Sequence, residues 1–421
     1  MANRCRLGCI EIRPEACLLE SADVKSNLSS PAALESVPLL GLRRQYASIR
    51  EEVLAAIARV CDSQSFILGP EVEALEREIA ALTGAAAAVG CASGTEALWL
   101  ALVGAGVLPG DSVITTAFSF FASASAIVRA GATPVLIDVE SETLNLDPAL
   151  VEQRLKNRRL ESVRAILPVH LYGQCADMDA FDLIAVEHRL AIVEDAAQAI
   201  GAEWRGRGAG SLGVAAAFSF YPTKNLSAYG EAGIVTTTRP EIAEHMRRLR
   251  NHGMPRRYYH EEFGWNGRMD AIQAAVLRVK LARLEGWNEK RRQHAATYDR
   301  LLGEAGLTSG QASSQISGKS NAPVRLLAQS PHARHVFHQY VIRADRRDDL
   351  RKFLTDRKIG TEIYYPLPLH LQSVFGYLGL KPGDLPVAEQ AAREVLALPM
   401  FPELTEGEIR WVVESIAEFY S

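Results

Sequence analysis

The segment VAAAFSFYPTKNLSAYGEAG (214–233) sets Lys224 just behind an apolar run and just ahead of a loop of small residues. A lysine held there partly out of water has a lowered pKa, and its free amine can join an aldehyde as an imine. A second apolar run, LAIVEDAAQAIG (190–201), ends on Glu194 and Asp195. A carboxylate delivered by a buried strand needs a cation or several donors; taken alone, a helix cap explains Asp195 equally well. A third stretch, GCASGTEALWLAL (90–102), passes through small residues into a helix near Gly94 and Thr95. Free amides and the macrodipole at a helix start suit an anion, although an ordinary strand-to-helix turn uses the same residues. An amine, an acid and an anion cradle on one sheet edge match pyridoxal phosphate, which carries an aldehyde, a ring nitrogen and a phosphate. Phe120, in TTAFSFFAS (115–123), could stack on its ring or pack in the core.

The elements that must position these groups alternate along the chain. The segments RQYASIREEVLAAIARV and GPEVEALEREIAAL have apolar residues at helical spacing, the latter at Val72, Leu75, Ile79 and Leu82, with Pro70 in its first turn. To about residue 236, short β-branched runs (DSVITT, PVLIDV, VRAILPVHLYG, LAIVED, VAAAFSF, GIVTTT) alternate with helical segments. That rhythm predicts an α/β fold with a mainly parallel central sheet and helices on both faces, with ligands beyond the carboxyl ends of the strands. GAGSLG (208–213) matches a glycine fingerprint in form, but a strand follows it, so it reads as a turn. After about residue 285 the rhythm changes. A polar, aperiodic stretch at 307–335 reads as a surface loop, then a strand, HQYVIRA, and helices complete a smaller C-terminal α+β domain. Thr405 and Glu408 fit a capping box. The expected domains are therefore 37–285 and 286–421, with residues 1–36 as a flexible extension.

Bulk properties narrow the function classes. The 421 residues are 48% hydrophobic and 23% charged with a net charge of −4, which points to neither nucleic acid nor an acidic membrane surface. No apolar run approaches the ~20 residues of a membrane helix. Six cysteines without paired CxxC spacing suit reduced thiols, hence a cytoplasmic protein.

Ten motifs in order carry a resemblance: FILGPEVEALE, CASGTEAL, PVHLYGQCADMDA, VEDAAQAIGA, FSFYPTKNL, GEAGIVTT, RNHGM, GWNGRMDAIQAAVL, YYPLPLHLQ and LALPMFPEL. From about Pro38 to the C-terminus the chain resembles the DegT-type nucleotide-sugar aminotransferases, which are fold-type I pyridoxal-phosphate enzymes. The resemblance implies that Lys224 links to the cofactor and relays a proton, that Asp195 partners the pyridinium, and that Gln198 lies beside the ring's phenolic oxygen. It places Gly94, Thr95 and Ser219 on the phosphate and Phe120 on the ring. Asn266 falls where the family supplies a phosphate contact from the neighbouring subunit, which implies a homodimer with sites at the interface. Arg268, Tyr364, Tyr365 and His370 fall where relatives meet the amino donor or the sugar. The implied reaction moves an amino group from L-glutamate to a keto-sugar of a nucleoside-diphosphate sugar. RNHGMPRRYYHEEFGWNGRMD leans toward amination at carbon 3, with Arg256, Arg257 and His260 near pyrophosphate or an acidic sugar, or simply forming a solvated basic loop. A 4-keto substrate and a non-catalytic regulatory relative are the alternatives; a dehydratase would carry histidine in place of Lys224. Two departures stand out: Gly267, where many relatives have a larger side chain, and residues 1–36.

Overall fold

The computed structural model describes residues 36–156, 162–308 and 322–421. Residues 1–35 and 309–321, where the N-terminal extension and part of the polar loop were expected, lie outside them. Residues Glu35–Ser421 gather into one compact unit.

The short apolar runs become strands β1 (Ala87–Cys91), β2 (Ser112–Thr116), β3 (Thr133–Ile137), β4 (Val163–Leu167) and β5 (Ala191–Asp195). The small pair β6 (Glu203–Trp204) and β7 (Arg207–Gly208) follows, then β8 (Ala215–Ser219) and β9 (Gly233–Thr237). Among the described residues, seven of these form one sheet in the order β1-β9-β8-β5-β4-β2-β3. The pairs β8–β5, β5–β4, β4–β2 and β2–β3 are parallel, and β9 runs antiparallel to both its neighbours. Consequently β1, β5 and β8 point the same way, and the residues that follow them leave from one edge of the sheet. Alternate strand residues enter two cores. Ile114, Ile166, Ala216 and Ile234 face one; Val113, Ala165, Ala217 and Val235 face the other. Burial on both faces explains why these strands read as continuous apolar runs rather than alternating ones.

Helix Pro70–Thr83 begins on its proline and buries Val72, Leu75 and Ile79, but its stripe ends on Thr83, and Leu82 is exposed. The C-terminal part holds a second, antiparallel sheet of β10 (Val324–Leu326), β12 (Tyr340–Ala344) and β13 (Val395–Leu398). Two short strands fall inside the stretch read as loop: β10 and β11 (Ala333–Arg334), the latter paired with β6. Neither is long enough to show a period in sequence; each takes its conformation from a partner distant along the chain. The capping box at Thr405 and Glu408 is present. The sequence boundary at 285/286 falls within the first turn of helix Leu284–Glu304, which packs Trp287 with Ile49, Val53 and Val276 of two other helices and Ala295, Tyr298 and Leu301 in the core of the second sheet.

Candidate active site

Asp195 is the last residue of β5 and is buried. Its main chain is fixed by its N–H on the Pro168 carbonyl (2.9 Å) and its carbonyl accepting from His170 N–H (3.0 Å). Its carboxylate accepts from Ser123 Oγ at 2.7 Å and from the Ala197 N–H at 3.2 Å. Burial raises its pKa, and those two donors and the nearby Lys224 ammonium oppose the rise. Lys224 sits one turn beyond β8, its N–H on the Tyr221 carbonyl (2.9 Å). Part of its surface stays open, yet protein surrounds the amine closely enough to hold its pKa at about 8, with Asp195 acting against that shift. Each group therefore perturbs the other.

The anion cradle lies beside them. Helix Gly94–Gly104 is capped by Ser93, whose hydroxyl accepts the Glu96 N–H at 3.1 Å. The amides of Gly94 and Thr95 have no hydrogen-bond partner in the described chain. A Cβ on Gly94 would stand 2.5 Å from Ser219 Cβ, and one on Gly233 would stand 2.3 Å from the Ser93 carbonyl oxygen. Glycine at both positions thus brings the helix start against the end of β8, with Thr95 exposed above it. Ser219 Oγ accepts the Tyr221 N–H at 3.3 Å. The residues present therefore fit a phosphate at this point: free amides, a hydroxyl and no side chain filling the space.

Gln198 is tied on both ends. Its Oε1 accepts the Tyr172 N–H at 2.6 Å, and its Nε2 donates to the Tyr365 hydroxyl at 3.0 Å. The Tyr172 hydroxyl donates to the Tyr364 carbonyl. The Tyr365 ring lies between Phe118 and Phe120, with centroids 6.2 Å from each. Phe118 is buried and Phe120 is 58% exposed, so of the two it is Phe120 that offers a ring to a ligand.

The partners of several side chains around Asp195 and Lys224 escaped the sequence reading. Glu194, fully buried beside Asp195, accepts from the amides of Gly210, Leu212 and Gly213 at 2.8 Å each, and from His170 Nε2 at 3.0 Å. His170 Nδ1 accepts the Ala176 N–H, which assigns the ring proton to Nε2. The GAGSLG segment is thus a turn, and its role is to wrap a carboxylate. Asn225, next to Lys224, donates to Asn288 Oδ1 (2.8 Å) and accepts from His338 Nδ1 (3.1 Å). Burial holds His338 well below its usual pKa, so it stays neutral. The motif PVHLYGQ contained His170 and Tyr172 but carried no periodic or spacing signal that distinguished them.

Asn266 and Arg268 line a cleft with Ile67, Ala92, Gly230 and Glu231, beside the turn into the helix-start cradle: the Ala92 N–H donates to the Gly267 carbonyl at 3.0 Å, and Cys91 bridges Arg268. Arg268 donates to Asn251 Oδ1 at 2.9 Å, and its Nε is buried without a partner. His370 is buried, with Nε2 3.1 Å from Glu389 Oε1 and Nδ1 without a hydrogen-bond partner. Arg256 and Arg257 stack on the exposed rings of Tyr259 and Tyr258, with 3.8 and 4.9 Å to the centroids, and His260 donates to the His252 carbonyl. A Cβ on Gly267 would stand 2.6 Å from Glu96 Oε1, a carboxylate paired with Arg129; packing accounts for that glycine.

A lysine, a buried aspartate and a helix start with unpartnered amides thus stand at one edge of a mainly parallel sheet. The chain matches the DegT/DnrJ/EryC1/StrS aminotransferase family over residues 47–417 and belongs to it. It is 50% identical, over 91% of its length and 99% of the relative's, to a Geobacillus stearothermophilus protein named "Pleiotropic regulatory protein". It is 44% identical to the "dTDP-3-amino-3,4,6-trideoxy-alpha-D-glucose transaminase" of Streptomyces venezuelae, covering 93% of this chain and 98% of that one. Among solved structures, S. venezuelae DesV in complex with a ketimine intermediate superposes with a TM-score of 0.85 at 44% identity, covering 92% of this chain and 99% of that one. Among the described residues, no helix is long and apolar enough to cross a membrane.

Proposed function

We propose that the protein is a pyridoxal-phosphate-dependent aminotransferase that moves the amino group of L-glutamate to a 3-keto sugar carried on a nucleoside diphosphate. The observation that carries this reading is the meeting of Lys224, Asp195 and the Gly94–Ser219 cradle at one sheet edge. When bound, the cofactor supplies an electron sink for the carbon next to the transferred nitrogen. The chain's own groups do the rest. Gly94, Thr95 and Ser219 would hold the phosphate, Asp195 would pair with the ring nitrogen, and Gln198 would serve the phenolic oxygen. Lys224, with a pKa of about 8, is a free base often enough near neutral pH that its Nζ could accept a proton and give it back. Tyr364, Tyr365 and Phe120 border the substrate side. We read 37–285 as the cofactor-binding part and 286–421 as the smaller C-terminal part. In a cytoplasmic homodimer Asn266 would reach the phosphate of the neighbouring subunit's site, and Arg268 and His370 would meet the amino donor or the sugar. The 3-keto assignment draws on the Streptomyces relative's name.

A second reading, a regulator without catalysis, draws on the Geobacillus relative's name. Absorption separates the two. The enzyme reading expects a yellow protein that bleaches with L-glutamate and a colourless Lys224→Ala variant. A colourless wild type that takes up no added pyridoxal phosphate favours the regulator. Incubation with glutamate and a panel of nucleotide keto-sugars, read by mass spectrometry, tests the carbon; amination of 4-keto sugars alone overturns the 3-keto assignment.

A further inference from the structure

Tyr172 has two features that do not belong together in an ordinary loop residue. Its backbone lies at φ +56°, ψ 3°, in the left-handed region that a side chain makes costly. Its ring is nonetheless buried, at 2% exposure. Glycine would relieve the backbone, and Gly173 beside it adopts a positive φ freely. A tyrosine at 172 therefore has to be explained by its phenol.

That phenol closes a ring of hydrogen bonds through three segments distant in sequence. Tyr172 N–H donates to Gln198, Gln198 donates to Tyr365, and the neighbouring Tyr364 carbonyl accepts from the Tyr172 hydroxyl. The acceptor segment needs such a tie. Glu362 is paired with Ala397, and the Leu369 N–H reaches Ala117, but residues 364–367 make no main-chain to main-chain hydrogen bond in the described chain. Burial raises the Tyr172 pKa well above the usual phenol range, so the hydroxyl remains a donor at any working pH.

Resting on the aminotransferase reading, we infer that Tyr172 is a positioning residue: one side chain sets the Tyr364–Tyr365 substrate wall relative to Gln198 on the cofactor side. It touches neither substrate nor cofactor and acts through these neighbours. Its loss would affect sugar binding rather than the loading of the cofactor.

The test compares wild type with Tyr172→Phe, which removes one oxygen, and Tyr172→Gly, which removes the ring and relieves the backbone. In cofactor-free protein, hydrogen exchange of the peptide spanning 361–369 should speed up about two- to tenfold in both variants, the range that one lost hydrogen bond supports. The peptide spanning 191–196 should be unchanged. In loaded Tyr172→Phe, the visible spectrum and the glutamate half-reaction should match wild type, while KM for the nucleotide keto-sugar rises by a similar factor and kcat stays within about twofold. Unchanged exchange together with unchanged KM overturns the inference, as does a fall in kcat with KM untouched. If neither variant folds, Tyr172 is a core-packing residue and the inference fails. A colourless wild type would defeat the aminotransferase reading alone, since the exchange comparison needs no cofactor.

Discussion

Lys280 offers the most quantitative test of the energetics around the cleft. It is 1% exposed on helix Ala271–Leu281, with Nζ donating to Ser227 Oγ at 2.9 Å and lying 4.4 Å from the Tyr229 ring centroid. No carboxylate pairs with it in the described chain, and burial lowers its pKa from 10.5 to about 8. At about 1.4 kcal/mol per pH unit, keeping this ammonium charged in the fold costs about 3 kcal/mol. Because the folded pKa lies below the unfolded one, the unfolded chain binds more protons between about pH 8 and 10.5, and wild-type stability rises across that window. Lys280→Met removes the burden. With about 2 cal/mol/K of unfolding entropy per residue, cofactor-free Lys280→Met should melt about 3–4 °C above wild type at pH 7. The two proteins should converge by about pH 10.5. Scanning calorimetry at both pH values reads the difference. A gain that does not shrink with pH, or a variant less stable than wild type at pH 7, would refute the reasoning.

Two further outcomes follow from the same geometry. Cofactor-free protein should bind pyridoxal phosphate faster as pH rises: with a pKa of about 8, Lys224 is about one-tenth free base at pH 7 and half at pH 8. The visible band should therefore grow about fivefold faster at pH 8 than at pH 7, and a flat profile would contradict the lowered pKa. Glu194→Ala strands four buried donors, the amides of Gly210, Leu212 and Gly213 and His170 Nε2, at a cost of about 3–5 kcal/mol. Soluble variant protein that melts within about 2 °C of wild type would show that the carboxylate is dispensable.

The sheet and the central trio were legible because their signals are local. Each strand of the large sheet is a short run of small, β-branched or apolar residues with few polar interruptions, and Lys224, Asp195 and Gly94 stand at or just beyond the ends of such runs. Residues whose roles arise only from distant partners were hidden. Ser123 reaches Asp195 across 72 positions and Tyr172 reaches Tyr364 across 192, and no spacing rule links them. The same blindness hid β10 and β11, whose conformation is set by pairing. Glu194 was visible as a strand-end acid, but only the three amides of the GAGSLG turn show why a buried charge is tolerated there.

Helix Leu284–Glu304 has a mechanical consequence. Its 21 residues make a rod about 30 Å long. Near one end, Asn288 is bonded to Asn225 beside Lys224; one turn on, Arg291 donates to the carbonyls of Phe337, His338 and Met400. A rod clamped to both layers cannot slide past either, so any widening of the cleft has to pivot on it. A tilt of about 5° displaces its far end by about 2–3 Å, simple lever arithmetic on the length above. Substitutions near Tyr298, remote from every reacting atom, would then change how wide the entrance opens.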